Sequence, residues 1–437
     1  MDKIVSLCKR RGFIFPGSEI YGGLANSWDF GPLGVELKNN LKKSWWKFFV
    51  QEREDVVGLD STIIMNSKVW QASKHLKEFN DLLVECKECK NRFKVDDLEN
   101  KKQCPNCGGN LSKPRQFNTM FRTFLGPVED EAHIVYLRPE TAQGMFVDFK
   151  QIQTASRQKI PFGIAQIGKA FRNEITPGNF LFRLREFEMM EIEYFIYKKD
   201  WRKSFDYWLG EIKKWLKMIG LAEENLKFHE IPEPERAHYS KRTVDIEYKF
   251  PFGTKELCAI AYRTNYDLSC HQDLSGQDLS YFNEETKEKF IPHVIEPTFG
   301  VERTILAILL DSYQEIKGGR TKTTQANKEI EIVLRLDKDL APIKVAILPL
   351  VRNKPELVKK AKEVYSLLKP HFTCQYDELG SIGRRYRRQD EIGTPYCLTI
   401  DFESFKKQDV TVRNRDTMKQ KRVKIKELKK YLEEKLK

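Results

Sequence analysis

The chain has 437 residues, of which 40% are hydrophobic and 32% charged, and a formal net charge of +13. That length allows two or three cored domains, and that balance excludes collagen-like and low-complexity chains. The excess of Lys and Arg favours a polyanionic partner, a nucleic acid or an anionic membrane surface, because each phosphate neutralised releases counterions. No apolar run approaches the roughly 18 residues of a membrane span, and Met1-Asp2-Lys3-Ile4-Val5-Ser6 lacks the apolar core of a secretory signal. The expectation is a cytosolic protein whose nine cysteines are free thiols or metal ligands.

Taken in chain order, the first strong pattern is Leu33, Leu37, Leu41, Trp45, Phe48 and Phe49. It recurs at helical spacing and predicts a helix whose apolar stripe is first of all core. Cys86-Lys87-Glu88-Cys89 and Cys104-Pro105-Asn106-Cys107 follow, fourteen residues apart. Each CxxC turn aims two sulfurs at one centre, which reads as a structural four-thiolate zinc site in an insert at residues 86–115. Two disulfides or a vestigial insert are the alternatives. The apolar residues 134–137 predict a strand running into Arg138-Pro139-Glu140-Thr141-Ala142-Gln143-Gly144, which sets Glu140 at a strand end.

Apolar and polar positions alternate on both sides of Ile175-Thr176-Pro177-Gly178-Asn179, predicting two antiparallel strands joined by a long loop. With a period of two, Arg172 and Glu174 share one sheet face, and so do Phe187, Glu191 and Glu193. A guanidinium beside a carboxylate and a ring suits a nucleoside triphosphate, whose phosphate oxygens the fork grips and whose base the ring covers. A salt-bridged solvent face is the bland alternative. Residues 201–219 carry Trp201, Phe205, Trp208, Ile212, Trp215 and Leu216 on one helical face, an aromatic row expected to be packing. Residues 243–250 alternate as a strand, and residues 300–313 read as a buried helix with Glu302 and Arg303 in its first turn. Polar sequence from Lys317 onwards divides the chain into residues 1–325, a linker at 326–340, and a C-terminal α/β module at 341–437. In that module Arg384-Arg385-Tyr386-Arg387-Arg388 suits phosphates and stacked single-stranded bases, with a solvated or internally paired cluster as the alternative.

The phrase Phe171-Arg172-Asn173-Glu174, followed by Arg183 and Phe187, resembles the second signature motif of class II aminoacyl-tRNA synthetases. Together with residues 138–144, 245–253 and 296–303, it makes the chain similar nearly end to end to the homodimeric glycyl-tRNA synthetase family. The resemblance implies an α/β fold of the α+β kind: an antiparallel-sheet catalytic domain with a zinc-binding insert, then an anticodon-binding α/β domain. It implies glycine, ATP and tRNA(Gly) as substrates, magnesium and structural zinc as metals, and a second copy of the chain as partner, with the dimer contact built around the helix near residue 40. Two other readings share the catalytic motif: a silent synthetase-like protein that binds tRNA, and an adenylating ligase that transfers to protein lysines. The silent form would lose Arg172, Glu174 or Arg303, and all three are present. The C-terminal module and the basic charge argue against the protein-lysine ligase.

By motif match, the resemblance assigns Arg172 and Arg303 as catalytic. Arg172 would hold the α-phosphate, Glu174 the adenine amino group and Arg183 the terminal phosphate, with Phe187 and Arg303 on either face of the base. The ATP set is completed by Asn173, Phe182, Leu184, Arg185, Glu186, by Glu256 and Leu257, and by Gly300, Val301 and Glu302. For glycine, Glu140, Glu191 and Glu296 would hold the ammonium and Thr298, where serine is usual, would close the floor. Phe187, Glu188, Met189, Met190, Pro297, Phe299, Gly300 and Lys94 complete that set. Three carboxylates would repel one another until a cation arrives, so the expected pocket is selective for a protonated amine.

Overall fold

The computed structural model describes residues 1–98, 100–320 and 330–436. Its centre is a seven-stranded sheet built from β1 (Val56–Gly58), β2 (Phe162–Phe171), β3 (Glu186–Ile196), β4 (Leu226–Glu230), β5 (Arg242–Phe250), β6 (Gly253–Thr264) and β7 (His293–Gly300). The strand order is β4-β5-β6-β7-β3-β2-β1, and every pair is antiparallel except β1 with β2. The sheet separates two apolar cores, and alternation along each strand decides which core a residue joins. On β3, Met190, Ile192, Tyr194 and Ile196 enter the larger core, whereas Phe195 joins Phe162 and Ile164 in the smaller one. Glu191 and Glu193 therefore face the smaller-core side, where the apolar packing gives way to charge.

The larger core explains both aromatic rows. Helix α1 (Pro32–Trp46) starts with proline at its first position, where the missing N–H costs no hydrogen bond. It buries Leu37, Leu41 and Trp45, and Phe49 follows it into the core. Helix α2 (Trp201–Met218) brings Trp208 and Trp215 from the same side. The rings of Trp45, Phe49 and Trp215 surround Phe299 of β7 at centroid distances of 6.1, 5.5 and 5.2 Å. The apolar stripe of α1 is thus consumed by the chain's own core. Helix α3 (Val301–Ser312) begins at the residue after β7, with Gly300 in extended conformation as its cap. That junction holds Arg303 just past the end of the sheet's central strand.

The cysteine insert is wider than 86–115. Strands Asn80–Glu85, Arg92–Lys94 and Arg115–Asn118 form one small sheet, with Asn80–Glu85 in the middle. Val84, Phe93 and Val95 make its core together with Cys86 and Cys104. The sulfurs of Cys86, Cys89, Cys104 and Cys107 all lie within 4.8 Å of one another. The Cys86–Cys107 and Cys89–Cys104 separations are 3.5 and 3.6 Å. A tetrahedral zinc with bonds of about 2.3 Å has sulfur edges near 3.8 Å, whereas a disulfide bond is about 2.05 Å, so the donor set fits a metal and not two disulfides. Gly109 completes the cradle: a Cβ there would meet Glu88 Cγ at 2.5 Å and Cys86 Sγ at 3.2 Å.

Strands Tyr313–Lys317 and Ile330–Leu334 pair as a hairpin. Residues 321–329, and with them the expected boundary at 325, lie outside the described residues. Residues 330–340 differ from the expected loose linker, because Leu334, Leu336 and Leu340 are buried in the larger core. The C-terminal unit is a five-stranded sheet in the order Cys374–Tyr376, Val345–Pro349, Tyr396–Ile400, Asp409–Asn414, Gln420–Lys424. It has a separate core that includes Leu357, Leu398, Val412 and Leu432. No helix among the described residues is long and apolar enough to cross a membrane.

The insert has few apolar side chains, so metal binding, worth on the order of 10 kcal/mol in small zinc modules, should supply much of its stability. Chelation is expected to abolish hydrogen-exchange protection across residues 80–118 while β2 and β3 keep theirs. Full protection of the insert in metal-free protein would show that the four thiols are not structural ligands.

Candidate active site

At one end of the sheet the strands open into a cleft. Arg172, Glu174, Phe182, Arg183, Phe187 and Arg303 line it together with Met189, Glu256, Leu257, Thr298 and Gly300. Strand β2 ends at Phe171, so Arg172 and Glu174 are loop residues and do not share a strand face as expected. The Arg172 N–H donates to Arg185 O at 2.9 Å, closing the neck of the loop between β2 and β3. The Arg172 side chain lies 5.3 Å from the Phe79 ring and 5.4 Å from the Phe187 ring. Its Nε donates to Pro139 O at 3.1 Å. Across the cleft, Arg303 lies 4.4 Å from the Phe182 ring centroid, donates to Phe182 O at 3.1 Å, and pairs with Glu256 at 3.2 Å. Rings and carbonyls therefore hold both guanidinium groups; those around Arg172 fix its position without cancelling its charge, whereas Glu256 partly offsets Arg303.

Beneath the cleft is a buried acidic floor. The β3–β7 register sets Glu191 opposite Thr298, and the same register sets Glu193 opposite Glu296. Thr298 Oγ1 donates to Glu191 at 3.2 Å. The Thr141 backbone N–H donates to the same carboxylate at 2.7 Å, and the Thr141 hydroxyl also binds it. Glu140 lies 3.2 Å from His75 Nε2 and accepts from Gln143 Nε2 at 2.9 Å. The cation of the floor is Arg263, raised into it where the β6 register breaks between Tyr262 and Thr264. It donates to Glu296 at 2.7 Å and to both oxygens of Asp267 at 2.7 and 2.8 Å, and lies 3.8 Å from the Tyr239 ring centroid. Behind the Glu140 loop, Arg138 donates to Lys169 O and Ser61 O, both at 2.7 Å. Gly168 makes room for it, since a Cβ there would lie 2.2 Å from Arg138 Nη2.

Burial pushes the Glu296 carboxyl up to about 8, although Arg263 opposes the shift. Burial, then the repulsion of Glu296, raises Glu193 well above the ordinary range, and neither Glu193 oxygen has a hydrogen-bond partner. Burial also raises Glu191, with Glu140 adding to the effect. Glu140 behaves oppositely: burial would raise it, but His75 and Arg263 hold it well below the usual carboxylate range. The floor thus holds one firmly ionised carboxylate beside groups that burial drives toward the neutral form.

Several expected site residues lie elsewhere. Alternation turns Glu188 and Met190 of β3, and Pro297 and Phe299 of β7, away from Glu191 and Thr298; Met190 and Phe299 are core. Glu188 instead pairs with Lys38 at 3.2 Å and Lys42 at 2.9 Å on α1. Glu302 does line the cleft, but its carboxylate is buried against Lys38 at 2.8 Å, and Val301 is core. Asn173, Arg185 and Glu186 line a neighbouring groove with Trp28 and Phe30. Lys94 belongs to the insert and pairs with Asp81 at 2.6 Å. In the C-terminal unit, Arg385 is buried and donates to Leu350 O at 3.0 Å, so it serves packing and not a phosphate. Tyr386 is tied to Thr399 and lies under Arg413, and Arg388 pairs with Asp377 at 2.6 Å. Arg384 is exposed and Arg387 half-buried. Sequence reasoning missed Arg263, Asp267 and His75, and put Glu193 on the face of Glu191 without assigning it to the site. The available signal was one arginine ending the apolar run Ala259-Ile260-Ala261-Tyr262, because a charge in such a run is rarely buried unless paired.

Residues 125–313 match the tRNA synthetase class II core domain (G, H, P, S and T), and residues 344–435 match an anticodon binding domain. A glycine–tRNA ligase of Clostridium acetobutylicum is 53% identical over 468 aligned positions, covering 100% of this chain and 99% of its own. Those of Caldanaerobacter subterraneus subsp. tengcongensis and Thermobifida fusca are 52% and 51% identical, each covering 100% of this chain and 98% of its own. Among solved structures, a prolyl-tRNA synthetase of Cryptosporidium parvum superposes with a TM-score of 0.66 at 14% identity. That likeness spans 100% of this chain and 75% of the other, and bears on the fold alone.

The raised carboxyls give a pH signature. A carboxyl whose folded pKa exceeds its unfolded value binds more protons when folded, so stability falls as pH rises from the ordinary carboxylate range toward about 8, the value of Glu296. Glu193→Gln keeps the shape and cannot ionise. The ligand-free variant is expected to lose less stability than the parent between pH 5 and 8, measured by thermal melts. Parallel curves would show that Glu193 does not titrate in this window.

Proposed function

The chain belongs to the glycine–tRNA ligase family of class II synthetases, and we propose that its cleft and acidic floor form glycyl-adenylate from glycine and ATP and pass the glycyl group to tRNA. The observation that carries this reading is the bond from Arg172 Nε to Pro139 O. It joins the cation-lined cleft to the loop bearing Glu140, so a phosphate on Arg172 would stand next to an amino acid on the floor.

In the first step a glycine carboxylate oxygen attacks the α-phosphorus and pyrophosphate leaves. In the second, a terminal ribose hydroxyl of tRNA attacks the glycyl carbonyl and AMP leaves. Neither step needs a protein nucleophile; each needs in-line placement and neutralised phosphate charge. Arg172 would take the α-phosphate, Arg183 the terminal phosphate and Glu174 the adenine amino group, with Phe187 and Arg303 covering the base. Glu256, 46% exposed at the cleft mouth, is a donor of the type that takes magnesium, which would neutralise triphosphate charge. With Arg172, Glu174 and Arg303 in one cleft, no feature favours a silent tRNA-binding protein.

Glycine offers no side chain to grip, and one methylene is worth only about 1–3 kcal/mol in a pocket, so selectivity must come from exclusion. Glu140, Glu191 and Glu296 would hold the ammonium. Glu191 is braced by Thr141 and Thr298 and has little freedom to retreat from a larger substrate. The ammonium is a second cation on this floor, because Arg263 already offsets Glu296 and Asp267. That revises the expectation of an unneutralised pocket. We place the anticodon-reading unit at residue 341 onwards and infer a cytosolic homodimer. Since the α1 stripe is internal, the dimer contact would fall on other surface, such as the loop exposing Ile20, Tyr21 and Leu24.

Glycine-dependent pyrophosphate exchange, run against alanine and serine and followed by tRNA charging, tests the assignment. Glu296→Gln is expected to raise the glycine KM by about tenfold or more, the scale of a hydrogen bond to a charged group, with ATP affinity unchanged. Equal loss of both would show the pocket to be misassigned. Arg172→Ala should lower kcat/KM by about 10²–10³, with little recovery in Arg172→Lys, because lysine has no planar fork.

A further inference from the structure

The loop between β2 and β3 is fastened at its tip. Gly178 and Arg183 exchange backbone hydrogen bonds of 3.1 and 3.2 Å. Asn26 Nδ2 donates to the carbonyls of Gly178, Phe180 and Arg183 at 3.2, 2.9 and 2.8 Å. The Arg183 side chain, by contrast, leaves the loop and reaches the cysteine insert. Its Nη1 lies 2.5 Å from Asp97 Oδ2 and its Nη2 lies 3.5 Å from Asp97 Oδ1. Asp97 closes the turn Val95–Asp97, and Val95 is anchored in the insert core with Cys86 and Cys104. Beside this pair the Lys94 N–H donates to Thr176 Oγ1 at 3.4 Å, a second tie between insert and loop.

Arg183 thus lines the cleft while both ends of its fork are turned to a carboxylate on another structural unit. The pair is partly exposed, 29% for Arg183 and 35% for Asp97, so water weakens it and exchange of partner is cheap. A triphosphate presents more charge and more acceptor oxygens than one carboxylate, and the same N–H groups cannot point at both. Resting on the reading of Arg183 as the ligand of the terminal phosphate, we propose that Asp97 is a positioning residue that holds Arg183 in the empty enzyme and yields it to ATP, so that ATP loosens the insert. By linkage the effect is reciprocal: an insert held fast by Asp97 weakens ATP by the same factor that ATP weakens the hold.

The test compares full-length parent and Asp97→Asn protein, with equal bound metal as the check that the insert is folded. Binding of ATP and of AMP is measured by calorimetry, and hydrogen exchange is followed across residues 92–98. Asp97→Asn is expected to tighten ATP by about two- to fivefold, the range of a partly exposed ion pair, and to leave AMP unchanged because AMP lacks the terminal phosphate. In the parent, ATP should speed exchange at residues 92–98; in the variant, exchange should already be fast and indifferent to ATP. Weaker ATP binding in the variant would mean that Asp97 aligns Arg183 for the phosphate, and would overturn the proposal. Unchanged ATP affinity, or exchange that ignores ATP in the parent, overturns it as well. Arg183→Ala separates the two layers. If it weakens ATP but not AMP while Asp97→Asn is silent, only the latch fails; if it affects both nucleotides equally, the assignment of Arg183 fails too.

Discussion

A guanidinium with 1% of its side chain exposed cannot exist in a protein interior without anions around it, and Arg263 has Asp267 and Glu296 in direct contact and Glu140 at 4.0 Å. The converse holds for its partners Asp267 and Glu296, whose burial that cation partly offsets. Each depends on the other, so the floor is one electrostatic unit and not a set of separable residues. The supports beneath it follow from the same need: the Tyr239 ring covers the guanidinium and Gln143 bridges Glu140 to Asp267. A pocket braced in this way is stiff, and stiffness is what rejection of a slightly larger amino acid requires.

The sheet makes the unit possible by sorting side chains with a period of two. Along β3 and β7, one face feeds the aromatic core around Phe299 while the other carries Glu191, Glu193, Glu296 and Thr298. The core thereby fixes the backbone from which the charges project. The arginines that handle ATP in our reading stand beyond strand ends or at the start of α3, where backbone leaves the ladder and side chains reach open space. Glu191, Glu193 and Glu296 of the floor are rigid because they are within strands, and the arginines above them are accessible because they are not.

The cysteine insert adds a second level. Its donor set fits a structural metal, and its edge reaches the loop that carries Arg183. A module whose four thiols could hold a metal is thereby in contact with the cleft. The C-terminal unit has its own core, yet Leu334 and Leu336 ahead of it are buried with the catalytic core, and Arg11, at the end of the N-terminal helix Asp2–Arg11, pairs with Glu391 at 2.6 Å. The two units are joined by packing and by charge as well as by chain.

The sequence by itself determined whatever is written at short range. Helical stripes, strand alternation and the CxxC spacing report neighbours a few positions apart, so strands β2, β3 and β5, both aromatic helices and the thiolate set were legible from residues alone, and the motif resemblance supplied Arg172, Glu174, Arg303, Glu140, Glu191 and Glu296. Only the tertiary structure decided which of the motif residues face the cleft. Contiguous motifs contain both faces of a strand, and so Glu188, Met190, Pro297 and Phe299 were included with residues that point the other way. It also decided the fate of the arginines. Arg385 became a buried packing residue and Arg263 the counter-ion of the floor, since a charge takes its role from partners brought close by folding, and Glu296 stands 33 residues from Arg263 in the chain and 2.7 Å from it in space.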